Sequence, residues 1–372
     1  MHLFRAIGLM SGTSMDGIDV AFVETDGRAL ARTGPASFYP YADTERALLR
    51  AAIAEAATLE DRAARPGKVG EAERLITTRH AEAVDAFIAE HALDRKTIDV
   101  VGFHGQTVLH RPEKKLTIQI GDGRTLAAAL GLPVAWDMRA ADVAAGGQGA
   151  PLVPAWHRAL VEADRLDCPV LVINLGGVAN VTLVPGAGGD PIAFDTGPAN
   201  ALIDDLMLER TGVALDKDGA AAAAGKVDER ALASLLSHPY FTAPLPKSLD
   251  RNAFSRAAVA GLATQDAAAT LTAFTARSLA MACRLLPAAP RVAVACGGGA
   301  RNPSLMAALA EVLPCPVKPA SQLGWNGDAI EAQAFAYLAV RVLEDLPLTF
   351  PATTGAPHPL TGGKLDRPRV NH

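Results

Sequence analysis

Only four cysteines, Cys168, Cys283, Cys296 and Cys315, occur in 372 residues, with no C-x-x-C pair and no metal-ligand spacing to a histidine. That excludes a disulfide framework and a thiolate metal site, and predicts reduced, mostly buried thiols. Aromatic residues make up 5% and the formal net charge is −5. Few rings to stack on bases and no basic face argue against a nucleic-acid partner, so an anionic ligand would need a local anion site. No apolar run approaches the ~18 residues of a membrane helix and no basic-plus-apolar leader precedes Gly8, so a cytoplasmic chain with no membrane partner is expected.

Several catalytic signatures are also missing. There is no H-E-x-x-H, and no G-x-S-x-G elbow surrounds Ser11 or Ser14, which removes support for metalloprotease and α/β-hydrolase readings. The run Gly219-Ala220-Ala221-Ala222-Ala223-Ala224-Gly225-Lys226-Val227 mimics a P-loop. It has five residues between its glycines and Val227 where a hydroxyl should ligate magnesium, so it is not a Walker A site. His104 and His110 read as loop hydrogen-bonding residues rather than metal ligands.

What the chain does have is hydrophobic residues, at 49%, in two alternating rhythms. Apolar runs bounded by glycine predict strands near 3–9, 17–24, 98–103, 169–174, 178–184 and 291–295. Alanine-rich patterns at helical spacing predict helices near 43–57, 70–91, 123–131, 151–162, 199–210, 229–237, 256–285, 303–313 and 328–344. Strands alternating with helices indicate an α/β chain, and the length suits two lobes with a cleft as the default site.

Three glycine-rich turns stand out. Ser11-Gly12-Thr13-Ser14-Met15-Asp16-Gly17-Ile18-Asp19 reads as a polar turn between two strands, whose backbone N–H groups and hydroxyls could hold phosphates; a turn satisfying its own polar groups is the plainer alternative. Asn174-Leu175-Gly176-Gly177-Val178-Ala179-Asn180 repeats the plan about half a chain later, hinting at an internal duplication. Gly297-Gly298-Gly299 follows a buried strand and precedes a helix, with Asn302 as N-cap and Pro303 at the first helical position. This last turn reads either as bare backbone for a nucleotide or as a capped strand-to-helix loop.

Together with Phe103-His104-Gly105-Gln106-Thr107, Gln119-Ile120-Gly121, the run from Asp142 to Pro154 containing GGQGAP, Phe194-Asp195-Thr196-Gly197-Pro198 and Thr354-Gly355-Ala356, the SGTSMDGID turn resembles the anhydro-N-acetylmuramic acid kinases. These are bacterial enzymes of the actin-like, sugar kinase and Hsp70-like ATPase superfamily, and the resemblance spans nearly the whole chain. It implies two actin-like (ribonuclease H-like) lobes, 1–137 with 333–372 and 138–332, with ATP and sugar in the cleft between them, and a homodimer. ATP would contact Ser11, Gly12, Thr13, Ser14, Met15, Asp16, Gly17, Ile18 and Asp19, then Asn174, Gly176 and Gly177, then Gly297, Gly298, Gly299 and Asn302. The sugar would contact Gln106, Thr107, Arg139, Asp142, Gly147 and Gln148.

The resemblance further implies that Asp195 is the general base and that Glu331 faces the active site. From the residues alone, Asp195 or Thr196 could instead cap the helix beginning near Pro198, and Glu331 could simply complement a helix dipole. The family's substrate is an internal ether with no free O6 hydroxyl. Asp195 would deprotonate a water attacking the anomeric carbon while the departing O6 takes the phosphoryl group from ATP. Magnesium is expected, with Asp16, Asp19 and Asp195 as candidates to hold its water shell. Where family members carry consecutive arginines, this chain has Met138-Arg139-Ala140-Ala141-Asp142, leaving Arg139 alone to meet an anion or brace Asp142.

Overall fold

The computed structural model describes residues 2–186, 188–250 and 253–368. Its strands are β1 (Phe4–Met10), β2 (Gly17–Thr25), β3 (Ala31–Pro40), β4 (Val100–Phe103), β5 (Gln106–Arg111), β6 (Leu116–Ile120), β7 (Val134–Trp136), β8 (Val170–Leu175), β9 (Val178–Val184), β10 (Ile192–Pro198), β11 (Val292–Cys296), β12 (Val317–Pro319) and β13 (Lys364–Asp366). One mixed sheet has the order β13-β7-β4-β1-β2-β3 and the other β10-β9-β8-β11-β12, while β5 and β6 form a separate hairpin.

Beneath these orders lies one plan used twice. In each sheet a first strand pairs antiparallel with the next, which pairs antiparallel with a third, while two later strands add parallel on the other side of the first. That is the 3-2-1-4-5 order of a ribonuclease H-like lobe. The internal duplication hinted by the two glycine turns is present: both turns link the first and second strands of their sheets, after Met10 and after Leu175.

The chain separates into two compact units, Met1–Asp164 with Ala329–His372, and Arg165–Asp328. These divisions fall at 164/165 and 328/329 rather than at 137/138 and 332/333. Side-chain contacts explain why the short helices Ala140–Ala144 and Pro154–Ala163 stay with the first unit. The hydroxyl of Thr354 donates to Asp142 Oδ2 at 2.6 Å, and the Trp156 ring lies 5.4 Å from that of Tyr337.

The helix Ile330–Leu343 is buried from Ala332 to Arg341 and closes the first sheet. Its backbone comes so near β1 and β4 that a Cβ at Gly8 would collide with the carbonyl of Ala332, and one at Gly102 with that of Phe335. Only glycine permits such an approach. The core of this unit gathers Ile7, Leu9, Ile18, Val20, Leu49, Ile76, Phe87 and Phe103. In the second unit Leu171, Ile173, Val181, Phe194, Leu279 and Leu305 pack beneath its sheet.

Each anticipated strand and helix has a counterpart, with one shortened: the helix expected over 256–285 spans Thr264–Cys283, after a separate turn at Ala257–Val259. Among the described residues no helix is long and apolar enough to cross a membrane. The four cysteines stand as thiols rather than disulfides, Cys296 and Cys315 buried, Cys168 and Cys283 half-buried. The P-loop mimic is a short helix, Ala220–Ala224, whose preceding Gly219 carbonyl accepts from the Ser304 hydroxyl at 2.8 Å. It follows a 3-10 turn, Lys217–Gly219, where a P-loop would follow a strand.

Candidate active site

In the first unit the SGTSMDG turn divides into a buried foot and an exposed face. Ser11 is fully buried. Its hydroxyl donates to Gln106 Oε1 at 2.6 Å and lies 3.0 Å from the Tyr41 hydroxyl, while Gln106 Nε2 donates to the Gly12 carbonyl at 3.1 Å. The hydroxyl of Ser11 is therefore spent on the scaffold, and so is the amide of Gln106, itself buried. Both residues underpin the turn instead of presenting side chains to ATP or sugar. Ile18 likewise sends its side chain into the core, leaving only backbone to offer.

The exposed face consists of Thr13, Ser14 and Asp16, with the Ser14 hydroxyl donating to Asp16 Oδ1 at 2.6 Å. Met15 adopts a positive φ of 53°, its amide reaches the Gly12 carbonyl at 3.2 Å, and its side chain packs on the core. Gly17 starts β2 where a Cβ would meet the Phe38 ring and the Tyr39 carbonyl, and Asp19, half-buried, pairs with Met10. A rigid foot with hydroxyls and a carboxylate above it is suited to an anion carrying a hard cation.

A second buried network joins this turn to the GGQGAP loop. His104 Nδ1–H donates to the Ser11 carbonyl at 3.1 Å, so Nε2 carries the lone pair, and Arg139 donates to it from Nε at 3.3 Å and from Nη2 at 3.1 Å. Burial, then the Arg139 charge, pushes the His104 pKa down to about 3, so the ring is neutral at physiological pH. Arg139 Nη1 also donates to the Gly149 carbonyl at 2.8 Å. Arg139 thus hydrogen-bonds the loop backbone, and meets Glu331 and Asp142 through charge.

Asp142, 2% exposed, receives the Gly149 amide on Oδ1 at 2.6 Å and the Thr354 hydroxyl on Oδ2. Its role within the unit is to shape Gly147–Gly149, and a Cβ at Gly147 would strike this carboxylate. The amide of Gln148 donates to the Thr354 carbonyl at 2.7 Å, leaving its side chain exposed. Thr107 Oγ1 accepts from Gln119 Nε2 at 3.2 Å on the β5–β6 hairpin. His110 is held through Thr117, 2.9 Å away; it sits within β5 rather than in the loop anticipated, whereas His104 does lie between β4 and β5. Glu331 stands in the first turn of the helix Ile330–Leu343 with its side chain reaching solvent; crowding by protein still raises its carboxyl pKa and the Arg139 charge draws it back.

In the second unit Asp195 lies within β10, opposite Asn180 of β9, at a bulge between Asp195 and Gly197. The helix Asn200–Thr211 has Ala199 as its N-cap, with no side-chain cap. Asp195 and Thr196 are not caps: Thr196 Oγ1 donates to the Ala179 carbonyl at 3.1 Å, and Asp195 Oδ2 accepts the Leu249 amide at 2.8 Å. Among the described residues Asp195 Oδ1 has no hydrogen-bond partner. Burial raises its pKa to about 6, against a lowering by the Leu249 N–H, which places the carboxylate close to the range of a working base.

The Asn174–Gly177 turn and the triple glycine meet within this unit. Gly297, at φ 77°, stands where a Cβ would reach Asn174 Oδ1. Asn200 Nδ2 donates to the Leu175 carbonyl at 2.9 Å, and its amide to the Gly176 carbonyl at 3.0 Å. Asn302 caps its helix as anticipated, accepting the Leu305 amide at 3.1 Å. A recess of about 280 Å³ opens here, lined by Asn200, Asp204, Lys217, Gly298, Arg301 and Asn302. Its size suits a base or ribose rather than a whole nucleotide. Asp204, Lys217 and Arg301 escaped the sequence reading, because a lone charge on a helix or loop carries no signal until the fold gathers it. Among the described residues no cluster of three or more His, Cys, Asp or Glu side chains could hold a metal.

The family model for anhydro-N-acetylmuramic acid kinase matches residues 4–366. An anhydro-N-acetylmuramic acid kinase of Nitrobacter winogradskyi is 55% identical over 367 residues, covering 98% of this chain and all of that protein. The kinase of Azorhizobium caulinodans is 58% identical over 369 residues, covering 98% of this chain and 99% of that one. One from Rhodopseudomonas palustris is 55% identical over 367 residues, covering 98% and 100%. With the duplicated strand plan and the glycine turns in their places, the chain belongs to the anhydro-N-acetylmuramic acid kinase family.

Proposed function

We propose that the protein is an ATP-dependent kinase of cell-wall recycling that opens the 1,6-anhydro ring of anhydro-N-acetylmuramic acid and phosphorylates O6, yielding N-acetylmuramic acid 6-phosphate and ADP. The observation that carries this reading is Asp195, a half-buried carboxylate with one oxygen unengaged among the described residues and a pKa raised to about 6. An ordinary sugar kinase needs a base for a substrate hydroxyl; here the base serves a water. Asp195 Oδ1 takes a proton as the water oxygen bonds to the anomeric carbon. The C1–O6 bond breaks with its electron pair on O6, which bonds to the γ-phosphorus as ADP leaves.

The exposed face of Thr13, Ser14 and Asp16 holds the phosphates, with the Asn174–Gly177 and Gly297–Gly299 turns receiving the rest of the nucleotide. The donor set at Ser14 and Asp16 is all oxygen, which fits magnesium keeping most of its waters. When bound, the ion would neutralise charge on the transferring phosphoryl group. Arg139 and the Gly147–Gly149 loop, shaped by Asp142, meet the sugar, and Glu331 supports the same site.

Reaction with ATP, magnesium and the anhydro sugar in ¹⁸O-labelled water tests this. Label at the anomeric oxygen of a 6-phosphate product is expected. Phosphorylation without label would indicate an ordinary hydroxyl kinase, and ATP-dependent polymerisation without sugar-dependent ADP release would indicate a filament protein.

A further inference from the structure

One strap, running from Pro239 to Leu249, holds Asp195 at three atoms. The Asp195 amide donates to the Lys247 carbonyl at 3.1 Å, its carbonyl accepts the Tyr240 hydroxyl at 2.6 Å, and Oδ2 accepts the Leu249 amide. β10 is the edge of its sheet, so the strap supplies the pairing that a further strand would give, while it addresses one carboxylate oxygen, Oδ2, and not Oδ1.

The strap depends on the Lys247 side chain. Its ammonium donates to the carbonyls of Tyr240 at 2.9 Å and Phe241 at 3.3 Å, in the 3-10 turn Pro239–Thr242, and sits 4.6 Å from the Tyr240 ring centre. Phe241, 4% exposed, anchors that turn against Phe254 and Phe274. Lysine over a ring, with two carbonyls, fixes where the Tyr240 hydroxyl points.

We propose that Tyr240 and Lys247 are positioning residues for the reaction: through the strap they hold Asp195 at its bulge so that Oδ1 is aimed at the attacking water. This rests on Asp195 being the general base. A small misplacement of a reacting group costs large factors in rate with little effect on binding.

The test is a double-mutant cycle with steady-state kinetics of sugar-dependent ADP release. Tyr240→Phe should lower kcat about tenfold or more, with both KM values within about twofold and the melting temperature nearly unchanged. Lys247→Met should act alike, and Lys247→Arg, which keeps a cation over the ring, should recover most of the loss. Added to Asp195→Asn, Tyr240→Phe should cost nothing further, because its effect passes through the carboxylate. Unchanged kcat in Tyr240→Phe, or losses that multiply in the Asp195→Asn background, would overturn the proposal. Near-normal turnover by Asp195→Asn alone would instead overturn the base assignment beneath it.

Discussion

Ser11 and Gln106 are joined by a buried hydrogen bond of 2.6 Å across 95 positions of sequence, which makes the foot of the SGTSMDG turn a tertiary rather than a local structure. Gln106→Leu would take one partner each from the Ser11 hydroxyl and the Gly12 carbonyl, leaving them the Tyr41 hydroxyl and the Met15 amide. The expected result is a stability loss of about 1–3 kcal/mol in denaturant titration, together with weaker ATP binding. Unchanged stability with impaired sugar binding alone would return Gln106 to the ligand.

Gly12 and Gly8 make opposite predictions from neighbouring positions. A Cβ at Gly12 would meet nothing closer than 3.7 Å, so Gly12→Val should fold normally yet lose ATP affinity by blocking the approach of an anion to the backbone. Gly8→Ala should fail to fold, its methyl driven into the carbonyl of Ala332. Circular dichroism with nucleotide titration separates the two; unaltered ATP affinity in folded Gly12→Val would remove the turn from the site.

For Asp195, activity and stability move oppositely with pH. The raised pKa, about 6 against an ordinary 3.8, means that ionisation opposes folding above pH 6, by on the order of 2–3 kcal/mol, and not below pH 4. Catalysis needs the ionised form, so kcat/KM should fall as pH drops through about 6 while this group's contribution to stability rises. Asp195→Asn should turn over at least about 10²-fold more slowly and melt at pH 7 no lower than the parent. Near-normal turnover would sink the assignment.

Thr354→Val removes the hydroxyl that donates to Asp142 Oδ2 and should cost about 1–3 kcal/mol, with a raised KM for the sugar as Gly147–Gly149 loosens. Thr354→Ser should restore both. If the valine variant kept a normal KM, the loop would not be what the sugar meets.

The parts of this fold visible in the sequence are those set by local rules. Alternation showed β1 and β2, periodicity showed most helices, and Asn302-Pro303 marked a helix start. Gly34 and Pro35 hide β3, and Gly197 and Pro198 hide the end of β10; both lie at sheet edges, where apolar pressure is one-sided. Gly261 separates the turn Ala257–Val259 from its helix. The SGTSMDG turn and Asp195 stand out by resemblance, but the hydrogen-bond partners of Ser11, Gln106 and Asp142 do not. Which polar side chains are consumed inside depends on partners such as Gln106 and Thr354, far along the chain. Tyr240 and Lys247 were missed for the same reason.

The seat that Gly8 and Gly102 make for the helix Ile330–Leu343 bears on synthesis at the ribosome. β1 emerges before the second unit, yet the helix that covers it is made only after that unit. The second unit, continuous from Arg165 to Asp328, has all its strands translated before that helix begins. It should therefore reach its native state first, while the older sheet waits with an apolar face exposed to chaperones.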